Sequence, residues 1–251
     1  VEVQQGTSAI VLAAGMGKRM QSDLAKVLHP VLGRPMLDHV LDAVRAAGVG
    51  RIVVVIGHQA ERVRSAMAGR GVEFALQAEQ LGTGHAVRQA EPLLGREPGT
   101  VLVLCGDTPL LTAETLRDLR DTHRATRAAA TVLSAELEDP TGYGRVVRGP
   151  DGAVLRIVEH KDASPEERRV REINSGLFAF EVADLFSALA EVRADNRQGE
   201  FYLTDTLEIL RRRGCRISAQ RCRDRREVLG INTLEQLREV EEIMQQRVRH
   251  A

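Results

Sequence analysis

Apolar and polar positions fall into two kinds of block along this chain. Apolar runs occur at Ser8–Ala14, Arg51–Ile56 and Thr100–Cys105, and a shorter one interrupted by Glu73 at Val72–Leu76. Runs of that length, rich in Val, Ile and Leu, predict strands buried on both faces. Between them the apolar period lengthens. In Met36–Gly48, residues Met36, Leu37, Val40, Leu41 and Val44 share one helical face, and Gly48 supplies a C-terminal cap. Glu61–Ala68, Thr83–Leu94 and Ala113–Arg124 read as further helices, the last with Thr112 as its N-cap. Strands alternating with helices of this size imply βαβ units and a mostly parallel α/β sheet covered on both sides.

The rhythm changes near Ala128. A strand at Ala128–Ala135 is followed by Arg145–Val147 and Val154–Val158, a hairpin around a GPDG turn, and then by a strand at Ile173–Phe180. Val182–Leu189 and Leu203–Arg213 read as helices. This half predicts a mixed α+β lobe against the parallel sheet. No low-complexity linker separates the two, so residues 1–232 are expected to form one domain. Thr233–Arg249 carries a single apolar stripe (Leu234, Leu237, Val240, Ile243, Met244, Val248). At 1.5 Å per residue that is a helix of about 25 Å. Residues 233–251 are therefore expected to be a linker helix, its stripe either packed on its own domain or part of a severed connection.

Composition narrows the function. Net charge is zero, against nucleic acid or an anionic membrane as the main partner. No apolar run approaches the ~20 residues of a membrane span, and VEVQQGTS has no signal-peptide layout. Cys105, Cys215 and Cys222 show no C-x-x-C spacing, which predicts a reduced, cytoplasmic setting. Only three of the 35 basic residues are lysine, at 18, 26 and 161. In a chain that uses Arg by default, Lys marks positions where a compact ammonium is preferred to a planar fork, or falls there by chance.

The first strand ends in Ala13 and Ala14, followed by Gly15 and Gly17, then Lys18, Arg19 and Lys26. A bare turn exposes successive backbone N–H groups to an anion, and three cations stand nearby. Met20 replaces the third glycine of a dinucleotide fingerprint, and Leu12 and Arg19 break a P-loop, so both motifs fail. The stretch resembles instead the G-x-G-T-R-M signature of sugar-phosphate nucleotidyltransferases, with Lys18 at the usual Thr position and Ala25 at the usual Pro.

Other polar segments follow strand ends. LQAEQLGTGHA places Gln77 before a Gly82-Thr83-Gly84 turn; a side-chain amide can pair with a base edge, or simply sit in a surface loop. Gly106-Asp107-Thr108-Pro109 puts a carboxylate where a metal–triphosphate needs a hard oxygen, although Asp before a turn is common. Asn232 is a second oxygen donor or a helix cap. EDPTGYGR, VEHKDA, EINSG and GEFYLTD bring Gly144, Glu159, Asn174, Tyr202 and Thr204, groups suited to sugar hydroxyls and equally to solvated turns.

With these motifs in this order, from about Ser8 to the final helix, the chain resembles the uridyltransferase domain of bacterial bifunctional N-acetylglucosamine-1-phosphate uridyltransferase/glucosamine-1-phosphate acetyltransferases. The resemblance implies a Rossmann-like, mostly parallel fold of the nucleotidyltransferase (GT-A-like) type. It implies transfer of UMP from UTP to N-acetylglucosamine 1-phosphate, with Mg²⁺, in cell-wall precursor synthesis. Leu12, Ala13, Ala14, Gly15, Lys26, Gln77, Gly82, Thr83, Cys105, Gly106 and Asp107 would bind nucleotide. Gly144, Glu159, Asn174, Tyr202 and Thr204 would hold the sugar, Asp107 and Asn232 the metal, and Arg19, Lys26 and Asp107 would be catalytic. Cys105 stands where the family commonly has Tyr, so any contact from that ring is lost. The acetyltransferase domain of the family is a hexapeptide-repeat β-helix through which it trimerises, and this chain has no such repeats. Transferases of another base or sugar, and a non-catalytic nucleotide sensor of the same fold, remain alternatives.

Overall fold

A computed structural model describes residues 6–249. In chain order it contains β1 (Thr7–Ala13), the short strands β2 (Pro30–Val31) and β3 (Arg34–Pro35), α1 (Met36–Ala46), β4 (Arg51–Ile56), α2 (Ala60–Ala66) and β5 (Glu73–Leu76). Then come α3 (Thr83–Arg88), α4 (Glu91–Leu94), β6 (Thr100–Cys105), α5 (Ala113–Thr126), β7 (Ala130–Glu136), β8 (Arg145–Arg148) and β9 (Val154–Val158). The remainder is β10 (Glu172–Glu181), α6 (Val182–Leu189), α7 (Asp205–Arg212), β11 (Ile217–Arg221) and α8 (Leu234–Arg249).

One nine-stranded sheet runs in the order β11-β7-β10-β6-β1-β4-β5, with β8 and β9 attached beside β10. β5, β4, β1 and β6 are mutually parallel, and β10 enters antiparallel between β6 and β7. The expected lobe is thus a continuation of the same sheet. Successive residues of β1 show why the apolar runs are unbroken. Ala9, Val11 and Ala13 face a core shared with α1, α5 and Val240 of α8, whereas Ile10 and Ala14 face one shared with α3, α6 and α7. Both faces are dry, as a two-sided strand requires.

Two local readings change, and one left open is decided. Thr83–Leu94 is two helices with a break at Gln89–Ala90; Pro92, which has no N–H to donate, falls in the second. β11, not expected from sequence, is a half-buried edge strand parallel to β7. The final stripe is not left open: Val240 is buried and Leu237, Ile243 and Met244 pack on the core, while Leu234 and Val248 are exposed. Among the described residues no helix is long and apolar enough to cross a membrane.

Register sets the site. Ala13 pairs with Ile56 and Leu12 with Cys105, and Ile56 pairs with Leu76. Four parallel strands therefore end level, delivering Ala14–Gly15, Gly106–Asp107 and Gln77 to one edge. In β10 the register with β7 shifts between Asn174 and Phe178, and this irregularity sits beside the same edge.

Candidate active site

A cavity of about 300 Å³ opens at the carboxyl ends of these strands, where ligands of parallel sheets bind. A larger concavity, about 420 Å³, lies among Thr7, Ser8, Gly50 and Arg51 at the opposite ends. That end offers backbone starts rather than the loops that carry chemistry.

Leu12, Ala13, Ala14 and Gly15 form one wall. After them the chain turns through Gly17, whose φ of 59° is left-handed, into a 3-10 turn, Lys18–Met20, pinned by buried Met20. A Cβ on Gly17 would lie 2.8 Å from Lys26 Cβ, so the glycine lets the loop lie on the lysine stem. Lys18 and Arg19 are exposed on that turn, and Arg19 is outside the cavity lining.

Gln77, Gly82 and Thr83 form the facing wall, with Gln80 and Ala86. The Gln77 amide nitrogen donates to Gly82 O at 3.2 Å and lies 3.1 Å from His85 Nδ1, so the side chain is held in one orientation. Gly82 has φ 110°, and a Cβ would approach Phe201 O to 2.6 Å. Only glycine fits so close a backbone crossing.

At the floor, Lys26 Nζ hydrogen-bonds Asp107 Oδ2 and reaches Asn232 Oδ1 at 3.2 Å. The backbone makes the same link, Ile231 N–H donating to Asp107 O at 3.0 Å. Two side-chain oxygens thus converge on one cation. Such a sparse donor set suits a hard divalent ion that keeps most of its shell as water and phosphate. The ammonium marks where positive charge is stabilised. Among the described residues no three His, Cys, Asp or Glu side chains form a denser metal cluster. Cys105 lines the cavity beside Asp107, and burial pushes its thiol up to about 12. It is a neutral thiol and a poor nucleophile.

A second cluster adjoins. Gly144 O accepts Asn174 N–H at 2.9 Å, and Asn174 Oδ1 accepts Gly176 N–H at 2.9 Å. The Cys105 thiol donates to Gly176 O at 3.6 Å, which joins this cluster to the first. Thr204 Oγ1 donates to Glu159 Oε1 at 3.2 Å. Burial raises the Glu159 carboxyl above its ordinary range, opposed by the Thr204 hydroxyl and assisted by Asp205, Asp162 and Glu200. Tyr202 is buried, and its hydroxyl already bonds Gln198 and Asp162. The 200–204 segment stitches the clusters together: Gly84 N–H donates to Phe201 O at 2.7 Å and Leu203 N–H to Thr83 Oγ1 at 3.0 Å.

Sequence reading missed Gln80 and Glu200, which lie inside segments it singled out, and Val27 and Ala86, which look like any core residue.

Glu159 gives a prediction with a definite sign. A carboxyl raised in the folded state binds more protons there than in the unfolded chain, so stability falls as pH rises past the ordinary carboxylate range. Glu159→Gln should raise the melting temperature at neutral pH and flatten its dependence on pH above that range. An unchanged pH profile of melting would refute the burial argument.

Two solved structures share the fold. A putative glucose-1-phosphate thymidylyltransferase from Bacillus anthracis superposes with TM-score 0.76 at 20% identity, covering 95% of each chain. A UDP-glucose pyrophosphorylase gives 0.74 at 18% identity, over 96% of this chain and 99% of the other. In sequence, a protein of Enterococcus faecalis named Bifunctional protein GlmU is 53% identical over 96% of this chain and 52% of its own length. One of the same name from Pelotomaculum thermopropionicum is 54% identical over 96% and 52%. The chain thus spans about half the length of these relatives. The family described as MobA-like NTP transferase domain matches residues 9–211, from β1 through the cavity walls to α7. The chain belongs to that family.

Proposed function

We propose that this chain transfers UMP from UTP to N-acetylglucosamine 1-phosphate, releasing pyrophosphate, with Mg²⁺ as its metal. The reading rests above all on one observation: Lys26 and Asp107, which line the cavity, meet Asn232, remote in sequence, through the Lys26 ammonium. The match to Bifunctional protein GlmU relatives supports it.

In this reading the triphosphate lies along Leu12–Gly15, with Arg19 reaching in from the rim. The base sits against Gln77, Gly82 and Thr83, and the sugar against Gly144, Glu159, Asn174 and Thr204. Tyr202, its hydroxyl already engaged, supports that wall from behind. Asp107 and Asn232 would hold Mg²⁺, which when bound neutralises phosphate charge. Residues 1–232 are the transferase domain and 233–251 the linker, whose helix α8 (Leu234–Arg249) packs on that domain. A cytoplasmic setting fits the three free cysteines.

The sugar phosphate attacks the α-phosphorus in line, and the pyrophosphate oxygen leaves with the bond's electrons. A phosphate monoester has its second pKa near ~6, so the nucleophile is already an anion. No base need remove a proton, in keeping with a cavity whose only thiol is neutral. The protein's part is to align two anions and offset their repulsion, for which Lys26 and the backbone amides after β1 are placed.

Pyrophosphate release from UTP, N-acetylglucosamine 1-phosphate and Mg²⁺ is the test, run beside dTTP, GTP and other sugar 1-phosphates. Release with the named pair, at least about tenfold over every other, is expected. Faster turnover with another base or sugar would reassign the substrate, and none with any would point to nucleotide sensing.

A further inference from the structure

Helix α8 is tied to the segments that carry all three floor residues. In its first turn, Gln236 Oε1 accepts the Asn232 backbone N–H at 2.7 Å, while Gln236 N–H donates to Thr233 Oγ1 at 3.2 Å. This is the reciprocal bonding of a helix start, with one difference. The side chain reaches past the cap to Asn232, the residue whose own oxygen meets Lys26. Further along, Glu241 Oε1 accepts Leu32 N–H at 3.0 Å, four residues after the turn that begins at Lys26 ends at Leu28. Leu32 has φ 50°, a conformation costly for a branched side chain, so that turn is held from outside. Arg247 Nη1 donates to Leu110 O at 2.7 Å, three residues beyond Asp107, and Nη2 to Asp224 Oδ2 at 3.2 Å. Positions 236, 240, 243 and 247 recur at helical spacing. Gln236 and Arg247 therefore share a face with buried Val240 and core-packed Ile243, while Glu241 projects from its side.

We infer that Gln236 is a positioning residue for the transfer reaction: by fixing the Asn232 backbone it aims the Asn232 side-chain oxygen at the cation site. Glu241 and Arg247 hold the segments that follow Lys26 and Asp107. The inference rests on the reading of Asp107 and Asn232 as metal donors. A helix start that served only the fold would lose stability on mutation without touching the metal.

The test is calorimetric titration of UTP into the protein, with Mg²⁺ and again in EDTA, without sugar phosphate so that no turnover occurs. The ratio of the two affinities reports the metal alone. Residues that orient a metal ligand typically contribute 10–100-fold to metal affinity. Gln236→Ala should therefore reduce the ratio about tenfold, with UTP affinity in EDTA within twofold of wild type. Gln236→Glu keeps an acceptor for the Asn232 amide and should restore most of the ratio. If Gln236→Ala keeps the wild-type ratio while Asn232→Ala loses it, the positioning role is wrong and the metal reading stands. If Asn232→Ala and Asp107→Asn both keep it, the metal reading fails and this inference falls with it. A melting curve on each variant separates loss of fold, and if Gln236→Ala does not fold, Gln236→Glu and Gln236→Met carry the comparison under the same criteria.

Discussion

Asp107→Asn should reduce the proposed nucleotidyl transfer at least about 100-fold, the scale of a lost transition-state stabiliser. The substitution keeps the shape and one oxygen but removes the charge that faces Lys26. The backbone bond from Ile231 to Asp107 O is untouched, so the wall it holds should remain in place. The side chain is partly exposed, and the melting temperature should move little. Turnover near wild type at ordinary Mg²⁺ would remove Asp107 from the chemistry.

The second large effect concerns Lys26. Lys26→Ala should cost as much as the loss of Asp107, because the cation at the floor disappears. Lys26→Arg should recover little of it, although the charge is kept. The ammonium fits between two oxygens, and the Gly17 loop lies against its stem. A guanidinium is longer, planar and demands a bidentate approach, so it would displace either the loop or Asn232. Lys18→Arg is the contrast: Lys18 is exposed on the 3-10 turn and the change should be nearly silent. Steady-state kinetics against both substrates decide the matter. Lys26→Arg within about threefold of wild type, on the order of 0.6 kcal/mol, would mean that Lys26 acts only as generic positive charge.

What was legible in the sequence was what local physics dictates. β1, β4 and β6 are written as unbroken apolar runs because both their faces are buried. The residues after them could then be placed at one edge, since parallel strands end together. β11 escaped because ISAQR lies half-buried at a sheet edge, where little apolar surface is needed. The β10 position, antiparallel between β6 and β7, depends on pairing with β6 across 75 to 81 residues that no local period encodes. At the site, Gly15, Gln77 and Asp107 could be found from their neighbours. That the Lys26 ammonium rests between Asp107 and Asn232 could not, because charge and side-chain type do not reveal who meets whom. Nor could the engagement of the Tyr202 hydroxyl by Gln198 and Asp162. The final helix read as a stripe that could pack on its own domain or belong to a severed connection, and its polar anchors were invisible among many Glu, Gln and Arg.

The bond from Lys26 to Asn232 joins residues 206 positions apart. Its consequence lies in biosynthesis. At the ordinary translation rate of 5–20 residues per second, roughly 10 to 40 s pass between the appearance of the first partner and the second. During that interval β1, β4, β5 and β6 can pair, since all four precede residue 106. The nascent sheet can thus be well formed while Lys26 and Asp107 still lack their third member. The complete floor is among the last features to close, after the β10 insertion and the arrival of Gly230–Thr233. Appearance of transferase activity during synthesis is therefore a late clock, slower than any spectroscopic signal from the sheet.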